Sequence, residues 1–391
     1  MRKILLTGIS LFAINLSINA QCKEIKKSLK VLNEDLLDSS IALLNKAEVI
    51  IKENGVETVD GKCLAKYYYT RGITQLMLGK KEDSVRLKEQ LLKSSGDNYL
   101  LFLKQAERPS ELEENVQSNL VSLAVEYGNL GVLNYQQGAF NRAFSFVEKG
   151  MELKRTFGKE DISEQDYFNA LVCAKVVGSN DKALEYSDSL LSNSSLSKAK
   201  RIKYLCQRAE VFLNLKNADS AKVVIDQARA LDSTDLTVRK VNLQYLLTKD
   251  DYQRALTELE ILSKNEEQRV QLLVLKGQIL HKLERDSLSQ IAFVEALALD
   301  SKNSGALYGL GALAVSHANR YVTAGSQLQG LEKLKNDSLA QEKFLQAVEQ
   351  FEKIPASDEK YLEALTAMKA VYESLGDQAK IEEVLDRISK L

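Results

Sequence analysis

Tryptophan is absent from the 391-residue sequence, and proline and histidine occur only twice each. Proline interrupts helix interiors and sheet ladders, so its scarcity permits long helices. Two histidines leave little scope for imidazole catalysis or metal binding, and the lack of tryptophan counts against a sugar-stacking surface. An enzyme or a glycan-binding protein is therefore the remote alternative, and neither a catalytic residue, a metal nor a cofactor is predicted.

A charge imbalance is also missing. The chain has 53 Lys and Arg against 54 Asp and Glu, which gives a net charge of −1. Proteins that bind nucleic acid normally show a basic excess or a basic stripe, and neither is found here. The sequence therefore predicts no nucleic-acid partner.

The first twenty residues have the pattern of a signal peptide. Arg2 and Lys3 form a positive start, and the apolar stretch from residue 4 to residue 16 follows. A small-residue site ending at Ala20 would leave Gln21 as the new N-terminus. An uncleaved anchor is the alternative, although the apolar run is short for a bilayer span. The remaining chain has no transmembrane stretch, so we expect an exported protein, periplasmic or extracellular, that is not inserted in the membrane.

Leucine, alanine, lysine and glutamate dominate the rest of the chain, as in a helix-rich protein. The stretch from Tyr127 to Leu153 contains two helical faces joined at Gly138. Small side chains at Gly131 and Ala143 alternate with bulky ones. This alternation predicts two antiparallel helices that cross closely, with a large side chain filling the space above a small one.

The same stretch resembles the tetratricopeptide repeat family, whose period is about 34 residues. Asn134 departs from the family pattern, which has an aromatic residue at that position. The resemblance implies an all-α fold, namely a right-handed α-solenoid of stacked antiparallel helix pairs that form a superhelix. The matching positions are Tyr127, Leu130, Gly131, Ala143, Val147 and Gly150.

Variants of this unit recur along the chain and define its predicted organisation. Residues 21–93 form two N-terminal repeats, and 94–115 form an irregular hinge. Residues 116–391 form the main solenoid, in which Ala221 and Ala255 are one family period apart. An insert at 317–336 is predicted to lengthen both helices of the penultimate pair, because leucines recur there at helical spacing. The last pair is predicted to cap the array.

Four cysteines permit disulfides in an exported protein but do not require them. Cys22 and Cys63 fall near the starts of neighbouring parallel helices, so a bridge between them is possible. Lipid attachment at Cys22 is the alternative, although Gln21 before it argues against this. Cys173 and Cys206 fall inside helical patterns and are interpreted as small buried apolar residues.

Asp-Ser pairs precede several of the returning helices. Their side-chain oxygens are predicted to accept hydrogen bonds from the free amides of the first helical turn. Metal binding and phosphorylation are the alternatives, but no calcium-loop pattern accompanies them. The pairs begin at Asp38, Asp83, Asp219, Asp286 and Asp337.

In the family, the first helix of each repeat lines a concave groove, and the resemblance implies a protein or peptide partner there. Tyrosines and long polar side chains suit peptide recognition, although the tyrosines can equally pack against the neighbouring helix. The charged set that captures acidic C-terminal tails in some family members is not assembled. The positions that map to the groove are Tyr69, Tyr135, Lys203, Lys240, Gln244, Gln278, His281 and Tyr308.

The leading hypothesis is a non-enzymatic scaffold of the cell envelope that binds protein through this groove. The alternative is a structural subunit of an envelope complex that uses the convex face or the long penultimate helices. Neither the partner nor the process follows from the sequence.

Overall fold

A computed structural model of the protein describes residues 21–34, 36–158, 162–264 and 268–391. Within these ranges the regular structure is helical, and no β-strand occurs. The prediction of an all-α chain is confirmed. No helix of the described part combines the length and apolar character that a bilayer span needs. The predicted signal peptide at 1–20 lies outside the described residues.

The chain divides into two compact units, 1–211 and 212–391, and the boundary falls inside helix α9. In the first unit, each helix from α2 to α8 packs against the next, and α5 also contacts α3 and α7. This unit is therefore a stack of antiparallel helix pairs. Its helices are α1 (21–33), α2 (Leu37–Asn54), α3 (Gly61–Lys81), α4 (Val85–Leu103), α5 (Ser110–Gln136), α6 (Phe140–Phe157), α7 (Glu164–Val176), α8 (Asn180–Leu191) and most of α9 (Lys198–Asn214), with a 3-10 turn at Val56–Thr58.

The second unit is built in the same way. Each helix from α10 to α18 packs against the next, and α15 also contacts α13 and α17. After the end of α9, its helices are α10 (Ala218–Leu231), α11 (Leu236–Thr248), α12 (Tyr252–Leu262), α13 (Arg269–Lys282), α14 (Asp286–Leu299), α15 (Ser304–Ser326), α16 (Gly330–Glu352), α17 (Tyr361–Leu375) and α18 (Gln378–Ser389).

Close helix crossings depend on glycine. A Cβ atom added at Gly131 in α5 would lie 2.4 Å from the Val147 side chain of α6. A Cβ atom at Gly311 in α15 would lie 2.4 Å from the ring of Phe351 in α16. The helices therefore approach to a distance that only glycine allows, and the large residue of the returning helix occupies the space.

The turns inside many pairs share one backbone conformation. A residue with φ between 54° and 75° links the first helix to the returning helix. Glycine adopts this left-handed conformation without strain, whereas other residues pay a steric cost. The turn residues are Gly138, Gly178, Lys216, Asp250, Glu284 and Gly376.

The predicted irregular hinge at 94–115 is largely helical instead. Helix α4 continues to Leu103 and α5 begins at Ser110, which leaves only residues 104–109 between them. The prediction of an irregular segment is wrong, and it rested on the poor helix formers at 94–98. The division into repeat blocks at 21–93 and 116–391 stays a prediction.

Tertiary contacts explain why α4 continues. The Ser95 hydroxyl donates to the Gly72 carbonyl at 2.7 Å, and the Asn98 amide donates to the Gln75 side chain at 3.0 Å. Helix α3 thus accepts a hydrogen bond from each of these side chains, and Asn98 also donates to the Ser94 carbonyl of α4 at 2.7 Å. The contacts across the pair favour continuation of the helix over a local turn. Tyr99 then packs in the core with no exposed surface.

The insert at 317–336 lengthens both helices of its pair. Helices α15 and α16 contain 23 residues each, whereas α13 and α14 contain 14 each. Only residues 327–329 separate the two long helices.

The prediction that the Asp-Ser pairs cap helices is wrong. Asp38, Asp219 and Asp286 lie inside the first turn, where a carboxylate still favours the positive end of the helix dipole. Asp337 lies within α16, and Ser84 begins α4 without a side-chain cap. Side-chain caps are instead supplied by Asp60, Ser163, Asn217, Asp235, Asp251, Asn303 and Asp377.

Cys22 and Cys63 form a disulfide that joins α1 to α3, with their Cα atoms 5.7 Å apart. Cys173 and Cys206 are buried and are not disulfide-bonded. Burial raises the pKa of the Cys173 thiol to about 11, which agrees with a small apolar side chain in the core.

Candidate binding surfaces

The first unit contains three of the eight predicted binding residues. Tyr69 belongs to the core and is only 8% exposed, which favours packing over recognition. Tyr135 is half-buried, with its ring 5.2 Å from that of Phe140. Lys203 is exposed, and its ammonium group lies 3.6 Å from the centre of the Phe168 ring. Tyr135 and Lys203 therefore remain accessible to a partner.

The second unit contains the other five, on the first helices of their pairs. Lys240 and Gln244 are exposed one turn apart on α11, and Gln278 is exposed on α13. Tyr308 on α15 is half-buried, with its ring 5.4 Å from that of Phe351. The fifth residue, His281, belongs to a separate polar cluster.

That cluster is centred on Asp286, which is only 9% exposed. Its carboxylate is 3.0 Å from His281 Nδ1 and 3.0 Å from His317 Nε2, and it also accepts from the Arg320 guanidinium. The neutral imidazoles donate only if His281 carries its proton on Nδ1 and His317 on Nε2. One carboxylate thus ties α13 and α15 to the start of α14.

The charge of Asp286 is stabilised by these donors. Burial disfavours the ionised form, but the hydrogen bonds from His281, Arg320 and His317 outweigh burial and hold the pKa of the carboxyl below its usual value. No group of His, Cys, Asp and Glu side chains in the described ranges is arranged to hold a metal ion. Through this one carboxylate the cluster holds three helices together.

Three clefts lie side by side on the returning helices of the second unit. Their volumes are about 410 Å³ between α10 and α12, about 210 Å³ between α12 and α14, and about 330 Å³ between α14 and α16. The first helix of the intervening pair forms each floor. None of the eight predicted binding residues lines these clefts.

Helix α14 separates two of the clefts and exposes an apolar ridge, formed by Leu288, Ile291 and Val294. Their exposed fractions are 52%, 53% and 51%. Leu288 and Ile291 line the α12–α14 cleft, and Val294 lines the α14–α16 cleft. Exposed apolar side chains that are grouped beside concave, partly polar clefts are typical of interaction surfaces.

A cleft of about 520 Å³ lies in the first unit between α5, α6 and the start of α7. Val121, Val125 and Phe157 supply its apolar wall. The Lys154 ammonium and the Asp166 carboxylate, 2.6 Å apart, lie at its edge. Because this ion pair is already satisfied, it provides no free charge for a ligand.

Three features of the chain now occur together. Antiparallel helix pairs are stacked, glycines lie beneath large side chains, and the turn residues Lys216, Asp250 and Glu284 follow one another at intervals of 34 residues. The chain has a tetratricopeptide-repeat fold. The departures from a regular repeat are the long α5 and the extended α15–α16 pair.

Known proteins resemble this tetratricopeptide-repeat chain in structure but not closely in sequence. A tetratricopeptide repeat protein from Parabacteroides merdae is 13% identical, covers 82% of this chain and 99% of its own, and has a TM-score of 0.45. The C-terminal part of a repeat protein from Cytophaga hutchinsonii is 15% identical, with a TM-score of 0.45. The match covers 67% of this chain and 94% of that protein. YrrB, described as having an unusual peptide-binding site, is 17% identical, with a TM-score of 0.35. The match covers 50% of this chain and 94% of YrrB.

No family model matches the sequence, and no curated protein matches it. The function is therefore argued from this chain's own surface.

Sequence reasoning missed both features of α14. The ridge has a sequence signal, since residues 286–299 contain only two charged side chains, Asp286 and Glu295. The polar cluster has none, because His317 is 31 residues from Asp286 and only the packing of α15 brings them together.

Proposed function

We propose that the protein is a non-enzymatic scaffold that binds a segment of a partner protein on the returning helices of its second unit. The observation that carries this proposal is the apolar ridge of α14 between two open clefts. Burying three half-exposed aliphatic side chains contributes about 1 kcal/mol each, which is enough to anchor a segment whose polar groups are also paired.

The floors and rims of the clefts support the same proposal. Leu280 lies in the α12–α14 cleft, and Leu310 and Leu313 lie in the α14–α16 cleft. Lys276 and Glu295 stand among the charged residues that line the α12–α14 cleft. An apolar centre with a polar margin is the usual composition of a protein interface.

The first helices of the pairs offer a second candidate surface. Lys240, Gln244 and Gln278 are exposed on neighbouring first helices, and their long polar side chains suit hydrogen bonding to a peptide backbone. This surface lacks a comparable group of exposed apolar residues among its predicted members. We therefore place it second.

We propose further that the protein acts outside the cytoplasm, in the cell envelope or beyond it. The signal-peptide pattern of residues 1–20 and the Cys22–Cys63 bridge both support export. N-terminal sequencing of the protein from fractionated cells tests this. Gln21 as the first residue, in the periplasm or the medium, is expected, and an intact N-terminus in the cytoplasm contradicts export.

In-cell photocrosslinking tests which surface is used. A photoreactive amino acid is placed at Ile291 in one strain and at Gln244 in another, because both residues are exposed and lie in the same unit. We expect a discrete adduct with another protein at Ile291 and not at Gln244. An adduct at Gln244 alone would favour the first-helix surface, and an adduct of the protein with itself would show self-association. The absence of an adduct at both positions would refute the scaffold proposal.

A further inference from the structure

We propose that the α10–α12 cleft binds a carboxylate group of the partner segment that lies against the apolar ridge. This inference rests on the proposed function and specifies the chemistry of the partner. Two residues of the cleft carry it, Arg229 on α10 and Tyr245 on α11.

The floor of the cleft is formed by buried residues, and one of them has a polar group that makes no hydrogen bond within the described part of the chain. Tyr245 is 9% exposed and Leu246 is 1% exposed, so both are fixed by packing. The Tyr245 hydroxyl forms no hydrogen bond with any described residue, although its neighbour Asn242 does. A buried tyrosine that lines an open cleft without a partner is a donor available to a ligand.

The lining of the cleft has more cationic than anionic side chains. Both of its carboxylates are already occupied by the protein itself. Asp226 pairs with Lys222 one turn earlier on α10. Glu258 accepts from the Arg239 guanidinium at 2.9 Å and from the Asn242 amide at 2.9 Å.

Arg229 supplies the charge that remains. It lines the cleft and is exposed, and within the described ranges no carboxylate lies in ion-pair distance of it. Arg254, on the opposite wall, is held by Asp251 at 3.1 Å on the protein surface. An arginine and a tyrosine that line one cleft fit a carboxylate, because the guanidinium can donate two parallel hydrogen bonds and the hydroxyl a third.

The position of the cleft indicates a peptide rather than a small metabolite. Thr257 lines both the α10–α12 cleft and the α12–α14 cleft, so the two clefts are adjacent, one on each side of α12. The second cleft leads to Leu288 and Ile291 of the ridge. Helix α12 lies between the two clefts and is about 10 Å wide with its side chains. An extended chain advances about 3.3 Å per residue, so about three residues separate the acidic group from an apolar anchor.

Purified full-length protein and a designed fluorescent peptide test this. The peptide has ten residues, with Glu and Leu separated by three residues of a Gly-Ser background, and its partner peptide has Gln in place of Glu. We expect the Glu peptide to bind about tenfold more tightly, because a charge-assisted hydrogen bond contributes about 1.4 kcal/mol or more. Anisotropy titrations to millimolar peptide measure this difference.

Variants locate the effect. Arg229→Gln should abolish the preference for Glu over Gln while leaving the affinity for the Gln peptide unchanged. Tyr245→Phe should reduce the preference about threefold, since it removes one hydroxyl donor. Arg86→Gln, at an exposed arginine of the first unit, is the matched control and should change nothing. Circular dichroism spectra that overlay with those of the unmodified protein confirm that each variant is folded.

Two results would overturn the inference: equal binding of the Glu and Gln peptides, or a Glu preference that survives Arg229→Gln. Its failure is separable from failure of the proposed function. If the adduct at Ile291 forms but its yield is unaffected by Arg229→Gln, the scaffold proposal stands and the carboxylate proposal falls. If no adduct forms and neither peptide binds, both fall.

Discussion

Replacing Asp286 offers the sharpest test of how α13, α14 and α15 are held together. In Asp286→Asn the side chain keeps its size but loses its charge. The amide nitrogen that replaces one oxygen also faces the donors His281, His317 and Arg320. One buried acceptor is therefore lost, and a donor is placed opposite another donor.

The loss of stability expected in Asp286→Asn follows from how exposed each hydrogen-bond partner of Asp286 is. The two imidazoles are each 31% exposed, whereas Arg320 is 55% exposed, so its ion pair counts as a surface pair and contributes little. Hydrogen bonds to a charged group contribute about 1.5–3 kcal/mol each, and Asn preserves part of this, so we expect a loss of about 3 kcal/mol.

Hydrogen–deuterium exchange of the full-length protein is the appropriate assay, because it reports on each helix separately. A loss of about 3 kcal/mol lowers the protection of backbone amides in α13, α14 and the N-terminal half of α15 about 100-fold. Asp386→Asn is the matched control. Its side chain is 59% exposed and pairs with Lys390 on the same helix, so we expect a change below about 0.5 kcal/mol.

The contribution of Asp286 to the stability of the fold should decrease as the pH is lowered. The pKa of Asp286 is lower in the folded protein than in the unfolded chain. The ionised carboxylate therefore stabilises the fold above about pH 4, and this contribution is lost as the pH falls through the lowered pKa. The difference between the unmodified protein and Asp286→Asn should be present at pH 7 and disappear as the pH falls below the lowered pKa of Asp286. A difference below fivefold in protection at pH 7, or one spread evenly over the chain, would refute this account.

Other predictions concern the helix contacts, the disulfide and the turns. Gly131→Ala should destabilise the first unit by about 1–3 kcal/mol in urea unfolding because the new methyl group overlaps α6, whereas Gly128→Ala, with nothing within 4 Å, should stabilise it by about 1 kcal/mol. If both substitutions stabilise, the close crossing is absent. Removal of the Cys22–Cys63 bridge by Cys63→Ser should cost about 4 kcal/mol for a 41-residue separation, and mass spectra with and without reductant should show whether the bond exists in the isolated protein. Glu284→Gly should raise the free energy of unfolding by about 1 kcal/mol, because φ is 57° there, and a decrease would contradict the strain.

Prediction from sequence succeeded where the determining contacts are local or repeated. The Gly131 and Val147 positions of the central repeat meet at the helix crossing that their spacing implies. It failed where a contact with another helix reversed a local preference. The polar run at 94–98 predicts the end of a helix, but α3 satisfies Ser95 and Asn98 and the helix continues.

The predicted site residues stay a prediction, because the structure shows which of them are exposed and not which of them bind a partner. The groove positions of the repeat family map to the first helix of each pair, and Lys240, Gln244 and Gln278 are exposed there. Position alone did not distinguish Tyr69, which is buried, from Tyr135, which is accessible. Burial depends on the neighbouring pair, which a single repeat pattern does not describe.

The amino-acid sequence by itself determined the helical class and the repeated pair, because helix propensity and the spacing of small and large residues act within about 34 residues. The tertiary structure alone decided where the surface is open. The first helices α13 and α15 pack directly against each other. The returning helices α12, α14 and α16 do not pack against one another in this way, and a cleft separates each of them from the next. The exposure of the α14 ridge is a consequence of that spacing, since the distance between returning helices is set by the packing of whole pairs.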